Sequence, residues 1–186
     1  MLEANSPTPD LDQLRELNRL FLTYLRAHGH KFEFSLGFPE HAVQSLRAAS
    51  DETLERAAEL PQALFRIELG KPAMSDRWLP GETPAARALQ SLQLTILLTV
   101  WSVSRLSPYR ARALFGLTSR TLQQLRSFAL SELPDLAATS RLVACNFVDA
   151  DWLWCELFEA RDPANRRYLG LVALQPSGSL SAAPRH

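Results

Sequence analysis

The side chains best placed to do chemistry lie between residues 109 and 126, where arginine, glutamine and hydroxyl groups recur around one glycine. An arginine guanidinium can bind guanine edges or phosphate oxygens through two parallel hydrogen bonds, and a glutamine amide can pair with adenine in the same bidentate manner. This pattern predicts contact with DNA. The candidate DNA-binding residues are Arg110, Arg112, Ser119, Arg120, Thr121, Gln123, Gln124 and Arg126.

The remaining residues of this segment predict a helix-turn-helix. Such a motif needs a small residue where its helices touch, a turn, and a capped second helix with an apolar inner face. Ala113 is expected to supply the small contact, Gly116 the turn and Thr118 the cap. Leu122 and Leu125 would face inward, which leaves the polar side chains outside. The alternative is that this segment merely joins two structural helices.

Positive charge is concentrated around the candidate segment. Residues 101–130 contain five arginines and no aspartate or glutamate, whereas the whole chain has 20 basic and 20 acidic residues and a net charge of zero. Any attraction to DNA must therefore be local. The logarithm of affinity falls by about 0.9 per phosphate contact for each tenfold rise in salt. Five contacts would give modest affinity, so we expect a partner protein or a dimer.

The chain also repeats its own pattern after 79 residues, without a gap over roughly thirty positions. The aligned residues are Leu36-Gly37-Phe38 with Phe115-Gly116-Leu117, Gln44 with Gln123, Leu46-Arg47 with Leu125-Arg126, Leu54 with Leu133, and Ala58 with Ala137. The same shift aligns residues 14–26 with 93–105. The alternative is a chance likeness of two amphipathic segments. Because Glu33 and Glu40 lie in or beside the first copy of the turn, we expect that copy to be structural or to contact a partner.

The hydrophobic spacing predicts a mainly α-helical fold of two tandem pseudo-repeats, each a helix-turn-helix-like unit with a possible short strand. The predicted organisation is a disordered tail over 1–10, a first repeat over 11–79, a linker over 80–86, a second repeat over 87–160 and a flexible tail over 161–186. The predicted helices cover 10–27, 39–49, 51–60, 84–106, 109–115, 119–128 and 131–138, and the predicted strands 63–69 and 142–148. Residues 149–160 fit a helix or a strand equally well.

The sequence lacks the motifs that are typical of several functional classes. The chain has no glycine-rich phosphate loop and no zinc-protease, serine-hydrolase or dithiol motif. Its two cysteines and four histidines are too few and too scattered for a disulfide framework or a zinc site. The carboxylates around Trp152 and Trp154 fit the polar edge of a core or interface better than a catalytic pair. We therefore expect neither an enzyme nor a bound cofactor or metal.

Membrane insertion and secretion are not expected either. Residues 88–104 form an uncharged run of 17 residues that includes serines and glutamines, whereas a membrane span needs about 20 mostly apolar residues. We expect this run to form a buried core helix. The first residues are acidic and interrupted by Pro7, which is unlike a secretory signal. The expected location is the cytoplasm.

Both halves resemble the FlhD-type bacterial transcriptional regulators, the smaller subunit of the flagellar master activator. The resemblance covers about residues 14–67 and 93–147 and is carried by the residues Leu36-Gly37-Phe38-Pro39-Glu40, Val43, Leu46, Leu54, Ala57-Ala58, Ala113-Leu114-Phe115-Gly116-Leu117, Leu125, Leu130, Leu133, Leu136-Ala137-Ala138 and Leu142-Val143. It implies a helical fold, self-association, and DNA binding together with a larger FlhC-like partner.

This chain departs from that family in two ways. A typical member carries one such unit and this chain carries two, so one chain could stand in for a dimer. A cysteine found near the strand start in that family would fall at Ala144, with Cys145 one place along, so its intersubunit disulfide is not carried over.

Two hypotheses follow from the sequence. The first is a transcriptional activator subunit that binds DNA through the segment from Gly116 to Arg126, with an FlhC-like partner or as a self-associated dimer. The second is a non-enzymatic helical adaptor of a secretion or other multiprotein assembly, in which the arginines are an interface or a solvated face and the tryptophans are anchors.

Overall fold

The computed structural model describes residues 9–30, 36–69, 83–139, 142–147, 151–159 and 169, and these residues are mainly helical, as predicted. The α-helices are Pro9–His28 (α1), Val43–Ala48 (α2), Asp51–Ala58 (α3), Pro84–Leu106 (α4), Pro108–Phe115 (α5), Ser119–Ser127 (α6), Leu133–Thr139 (α7) and Asp151–Glu159 (α8). Short 3-10 turns over Glu40–Ala42 and Leu130–Glu132 precede α2 and α7. The strands are Phe65–Ile67 (β1) and Val143–Cys145 (β2).

Hydroxyl side chains cap four of these helices at their first turns. Thr83 accepts a hydrogen bond from the Ala86 amide at the start of α4, and Pro84 occupies the first turn, where no amide donor is needed. Ser107 ends α4 in an extended conformation and then caps α5. Ser50 and Thr118 cap α3 and α6 in the same way. The predicted Thr118 cap of α6 is confirmed.

The two long helices, α1 and α4, pack against each other at the centre of the core. Helix α1 also packs against α3, and α4 packs against α5, α6 and α7. The apolar stripe of α1 is buried at Leu14, Leu17, Phe21 and Leu25, but Leu11 at its start is 42% exposed. Helix α4 buries one face from Ala85 to Ser104, as expected of a core helix, while Leu98 on its other face is exposed. No helix within the described ranges has both the length and the apolar character to span a bilayer.

Each long helix uses one buried amide side chain to hold the chain of its own half. The Asn18 Nδ2 group donates to the carbonyl oxygens of Ala58 (3.3 Å) and Gln62 (3.2 Å), while its Oδ1 accepts from the Leu64 amide (2.9 Å). In the second half, Gln93 Nε2 donates to Ala137 and Gln93 Oε1 accepts from Leu142. Both amides therefore satisfy backbone groups between a helix end and the following strand.

The two strands come from different halves of the chain and pair with each other in antiparallel orientation, with Arg66 opposite Ala144 at the centre. The pairing is extended by bonds to the turns. The Ala63 amide donates to the Leu114 carbonyl (2.9 Å), and the Cys145 amide donates to the Leu36 carbonyl (2.7 Å). Each half thus holds the turn of the other, and the buried residues form one hydrophobic core.

The structure corrects or completes several details of the predicted elements. Pro39 is extended, and a 3-10 turn precedes α2, so α2 begins at Val43 and not at residue 39. Residues 151–159 are helical, which decides between helix and strand, and Trp154 is buried in the core. The predicted tails lie outside the described residues except for Leu169, whose side chain is buried, and for Pro9 and Asp10, which begin α1 and so shorten the predicted tail over 1–10. Of the predicted linker over 80–86, residues 83–86 are described, and Pro84, Ala85 and Ala86 belong to α4.

We expect Asn18→Leu to destabilise the fold by about 2–4 kcal/mol, because it leaves the buried Leu64 amide and the Ala58 and Gln62 carbonyls without their partner. Urea denaturation followed by circular dichroism measures the loss. The matched control is Gln13→Leu on the exposed face of the same helix, for which a change within about 0.5 kcal/mol is expected. Equal stability of the two variants would contradict the role of Asn18.

Candidate nucleic-acid interface

The candidate segment folds as two helices joined by a left-handed glycine. Gly116 follows the last residue of α5 with φ 62° and ψ 26°, a conformation that L side chains adopt at a cost. Thr118 is extended, and its Oγ1 accepts from the Thr121 amide (3.1 Å), which starts the nine-residue helix α6. The predicted turn and cap are therefore both present.

The inner face of the segment differs from the prediction at one residue. Leu122 and Leu125 are buried, as expected, but Ala113 is exposed, and the small buried residue of α5 is Ala111. The reason is helical phase. Phe115 lies one turn after Ala111 on the core side, whereas Ala113 is rotated by about 200° from Ala111 and faces outward.

The turn is anchored from the first half of the chain. The Ala63 amide donates to the carbonyl of Leu114, at the end of α5. The ring of Phe115 stacks on Phe65 of β1 with centroids 6.3 Å apart. These contacts are 50 or more residues apart in sequence, so no local pattern could have indicated them. They hold α5 and the start of α6 in a defined orientation relative to the core.

Most of the candidate side chains face outward, as predicted. Those exposed are Arg110, Arg112, Ser119, Arg120, Gln123 and Arg126, while Thr121 and Gln124 are half-buried. The Thr121 hydroxyl lies 2.9 Å from the Thr118 hydroxyl, so Thr121 takes part in the helix cap and is not free to point outward. This corrects the sequence interpretation of Thr121.

Three exposed arginines of this surface differ electrostatically from the ion-paired arginines of α1. Among the described residues, no carboxylate lies within ion-pair distance of Arg112, Arg120 or Arg126. In contrast, Arg19 binds Glu16 at 2.6 Å, and this side-chain hydrogen bond lowers the pKa of the Glu16 carboxyl group. Among the described residues, Arg112, Arg120 and Arg126 thus keep charge that is available for an anion.

A further cation lies behind α6. The Arg105 guanidinium lies 5.0 Å from the centre of the Trp101 ring, in a cation–π contact. Trp101 is in turn held by a hydrogen bond from its Nε1 to the Phe128 carbonyl (3.0 Å), just after α6 ends. Sequence analysis missed this pairing, although a tryptophan four residues before an arginine on one helix face is a signal for it.

The rest of the described chain shows little chemistry of other kinds. Burial raises the pKa of the Cys145 thiol far above its usual range, which disfavours the thiolate form. Among the described residues, no three histidine, cysteine or carboxylate side chains are placed to hold a metal ion.

Comparisons of the chain with protein-family models, with curated proteins and with solved structures found no match.

We expect Gly116→Ala to cost about 1–2 kcal/mol of stability, because a Cβ is strained in the left-handed conformation. The new Cβ would also lie 3.2 Å from Gln62 Nε2, which must shift. Gly37→Ala is the matched control, since φ there is +78° and the new Cβ would meet nothing within 4 Å. Urea denaturation should show a larger loss for Gly116→Ala than for Gly37→Ala. The reverse order would contradict this contact.

Proposed function

We propose that the protein is a regulator of transcription that binds double-stranded DNA through α6. The observation that supports the proposal is the exposed, capped helix after Gly116, which presents Arg120 and Arg126 with no carboxylate from the described part of the chain within ion-pair distance. A helix of this size fits the major groove, where arginine and glutamine side chains can pair with base edges. A regulator of this kind acts in the cytoplasm.

The outward face of α6 has a spacing suited to this task. At about 100° per residue, Gln123 lies between Arg120 and Arg126 around the helix axis, about 60° from each. All three side chains are exposed. Arg112 on the adjoining helix α5 is exposed as well and can contact phosphate while α6 contacts bases.

We further propose that the two halves are copies of one unit, so that one chain contains the two units that a dimer of smaller subunits would contain. The order of helices and strands supports this, as do Gly37 and Gly116, 79 residues apart and both with positive φ. The acceptors of the two buried amides share this separation of 79, since Asn18 donates to Ala58 and Gln93 donates to Ala137, although the amides themselves are 75 residues apart. As the FlhD-type resemblance implies, an FlhC-like protein would complete the DNA-binding complex, with a homo-oligomer as the alternative.

The double variant Arg120→Ala/Arg126→Ala tests the DNA-binding proposal. We expect it to abolish promoter binding in a mobility-shift assay while the circular dichroism spectrum stays native, because both side chains are exposed. Loss of two phosphate or base contacts should also reduce the salt dependence of any residual binding by about 0.9 per phosphate contact.

The matched control for this test is Arg15→Ala/Arg87→Ala, which removes the same charge from exposed positions outside the segment. It should bind DNA nearly as well as the natural chain. Undiminished binding by the α6 variant, with its fold intact, would exclude the proposal.

A helical adaptor is the second candidate function. It is favoured by two large apolar side chains at the corner between α4 and α5, since Leu106 is 85% exposed and Tyr109 is 82% exposed. Side chains of this kind anchor protein interfaces when a partner covers them. They lie beside the candidate DNA-binding segment, so they also suit a partner that binds together with DNA.

We expect Leu106→Ser/Tyr109→Ser to weaken binding of a protein partner without changing the fold, because the changed side chains contribute little to the core. Size-exclusion chromatography with candidate partners, with and without DNA, measures this. A partner retained without DNA, and lost in the variant, would favour the adaptor. DNA binding by the chain alone would favour the regulator.

A further inference from the structure

The two copies of the turn have different electrostatic surroundings, although the polar residues at their helices are partly the same. Gln44 and Arg47 on α2 correspond to Gln123 and Arg126 on α6, and all four side chains are exposed. Where the second copy has Ser119 and Arg120, however, the first has Glu40 and His41. The first copy therefore places a carboxylate at the helix start, where a phosphate would approach.

The helices packed against each copy increase this difference. Helix α6 packs against α4 and α5, and the last turn of α4 together with α5 carries three arginines, Arg105, Arg110 and Arg112, and no acidic residue. Helix α2 packs against α1, whose charges balance, and against α8, which carries Asp151, Glu156 and Glu159 and no basic residue. A phosphate near α6 would meet positive charge, and a phosphate near α2 would meet negative charge.

The geometry of the two helices differs as well. Helix α6 forms nine continuous residues behind a threonine cap. In the first copy a 3-10 turn without a side-chain cap precedes a six-residue α2. Phe38 beside this turn packs edge-on against Trp154 of α8, with ring centroids 5.0 Å apart. The first copy is thus attached to α8 and presents a shorter helix in a less regular conformation.

We infer that the protein reads an asymmetric DNA site: one chain binds a single half-site through α6, and the α2 surface does not contact DNA. This inference rests on the proposed DNA-binding function. A symmetric dimer of helix-turn-helix units binds two inverted half-sites about 10 base pairs apart. This chain instead has two related units of which one is electrostatically suited to DNA. Its DNA target therefore does not need to contain an inverted repeat.

The test selects binding sites for the full chain from a library of random duplex DNA. Binding of the enriched duplex is then compared for two variants changed at corresponding positions, Gln123→Ala/Arg126→Ala and Gln44→Ala/Arg47→Ala. We expect one motif without internal symmetry, bound by one chain per duplex in sedimentation. The α6 variant should bind roughly tenfold or more weakly, and the α2 variant should bind within about twofold of the natural chain.

Two results would overturn the inference. One is an enriched inverted repeat occupied by a single chain. The other is an α2 variant, native by circular dichroism, that loses as much affinity as the α6 variant. An inverted repeat occupied by two chains would support the inference, because each chain would then read one half-site. Enrichment of no sequence, with no retention of any duplex, would reject the proposed function itself and the inference with it.

Discussion

The pairing of β1 with β2 is the constraint on which the other contacts of this protein depend. Each strand has only three residues, too few to form a stable sheet within its own half. Pairing across the halves satisfies their backbone groups and brings Ala63, two residues before β1, to Leu114 and the last residue of β2 to Leu36. Because both turns are held by the opposite half, the halves share one core and the position of each turn depends on the whole chain.

This dependence has a consequence for α6. A recognition helix that is orientated before it meets its ligand loses less conformational entropy on binding. Here the end of α5 is held by Ala63 and by the stacking of Phe115 on Phe65, and Phe65 in turn contacts Phe21 of α1 at 5.7 Å between ring centroids. The candidate DNA-binding surface is thus supported by aromatic contacts that lead to the longest helices of the fold.

Charge in this protein is separated in space although its sum is zero. The first half places carboxylates on α3 next to arginines of α1, as in the pairs of Arg15 with Glu55 and Arg26 with Asp51. Such exposed pairs contribute little stability, but they neutralise each other's field. The arginines of α5 and α6 lack this neutralisation among the described residues, apart from Arg110, which has its own contacts. A neutral chain can therefore present one cationic surface to a polyanion.

The sequence by itself determined the local structure, because helix caps, prolines, glycines and apolar spacing act over a few residues. Thr83, Ser50 and Thr118 cap the predicted helices, α4 has the predicted bounds, and Gly116 makes the predicted turn. Only the tertiary structure decided which contacts those elements make: that Ala111 and not Ala113 faces the core, and that residues 151–159 form a helix against α2. It also decided that the two short strands pair with each other. These outcomes depend on helical phase set by neighbouring elements and on contacts between residues far apart in sequence, neither of which a local pattern contains.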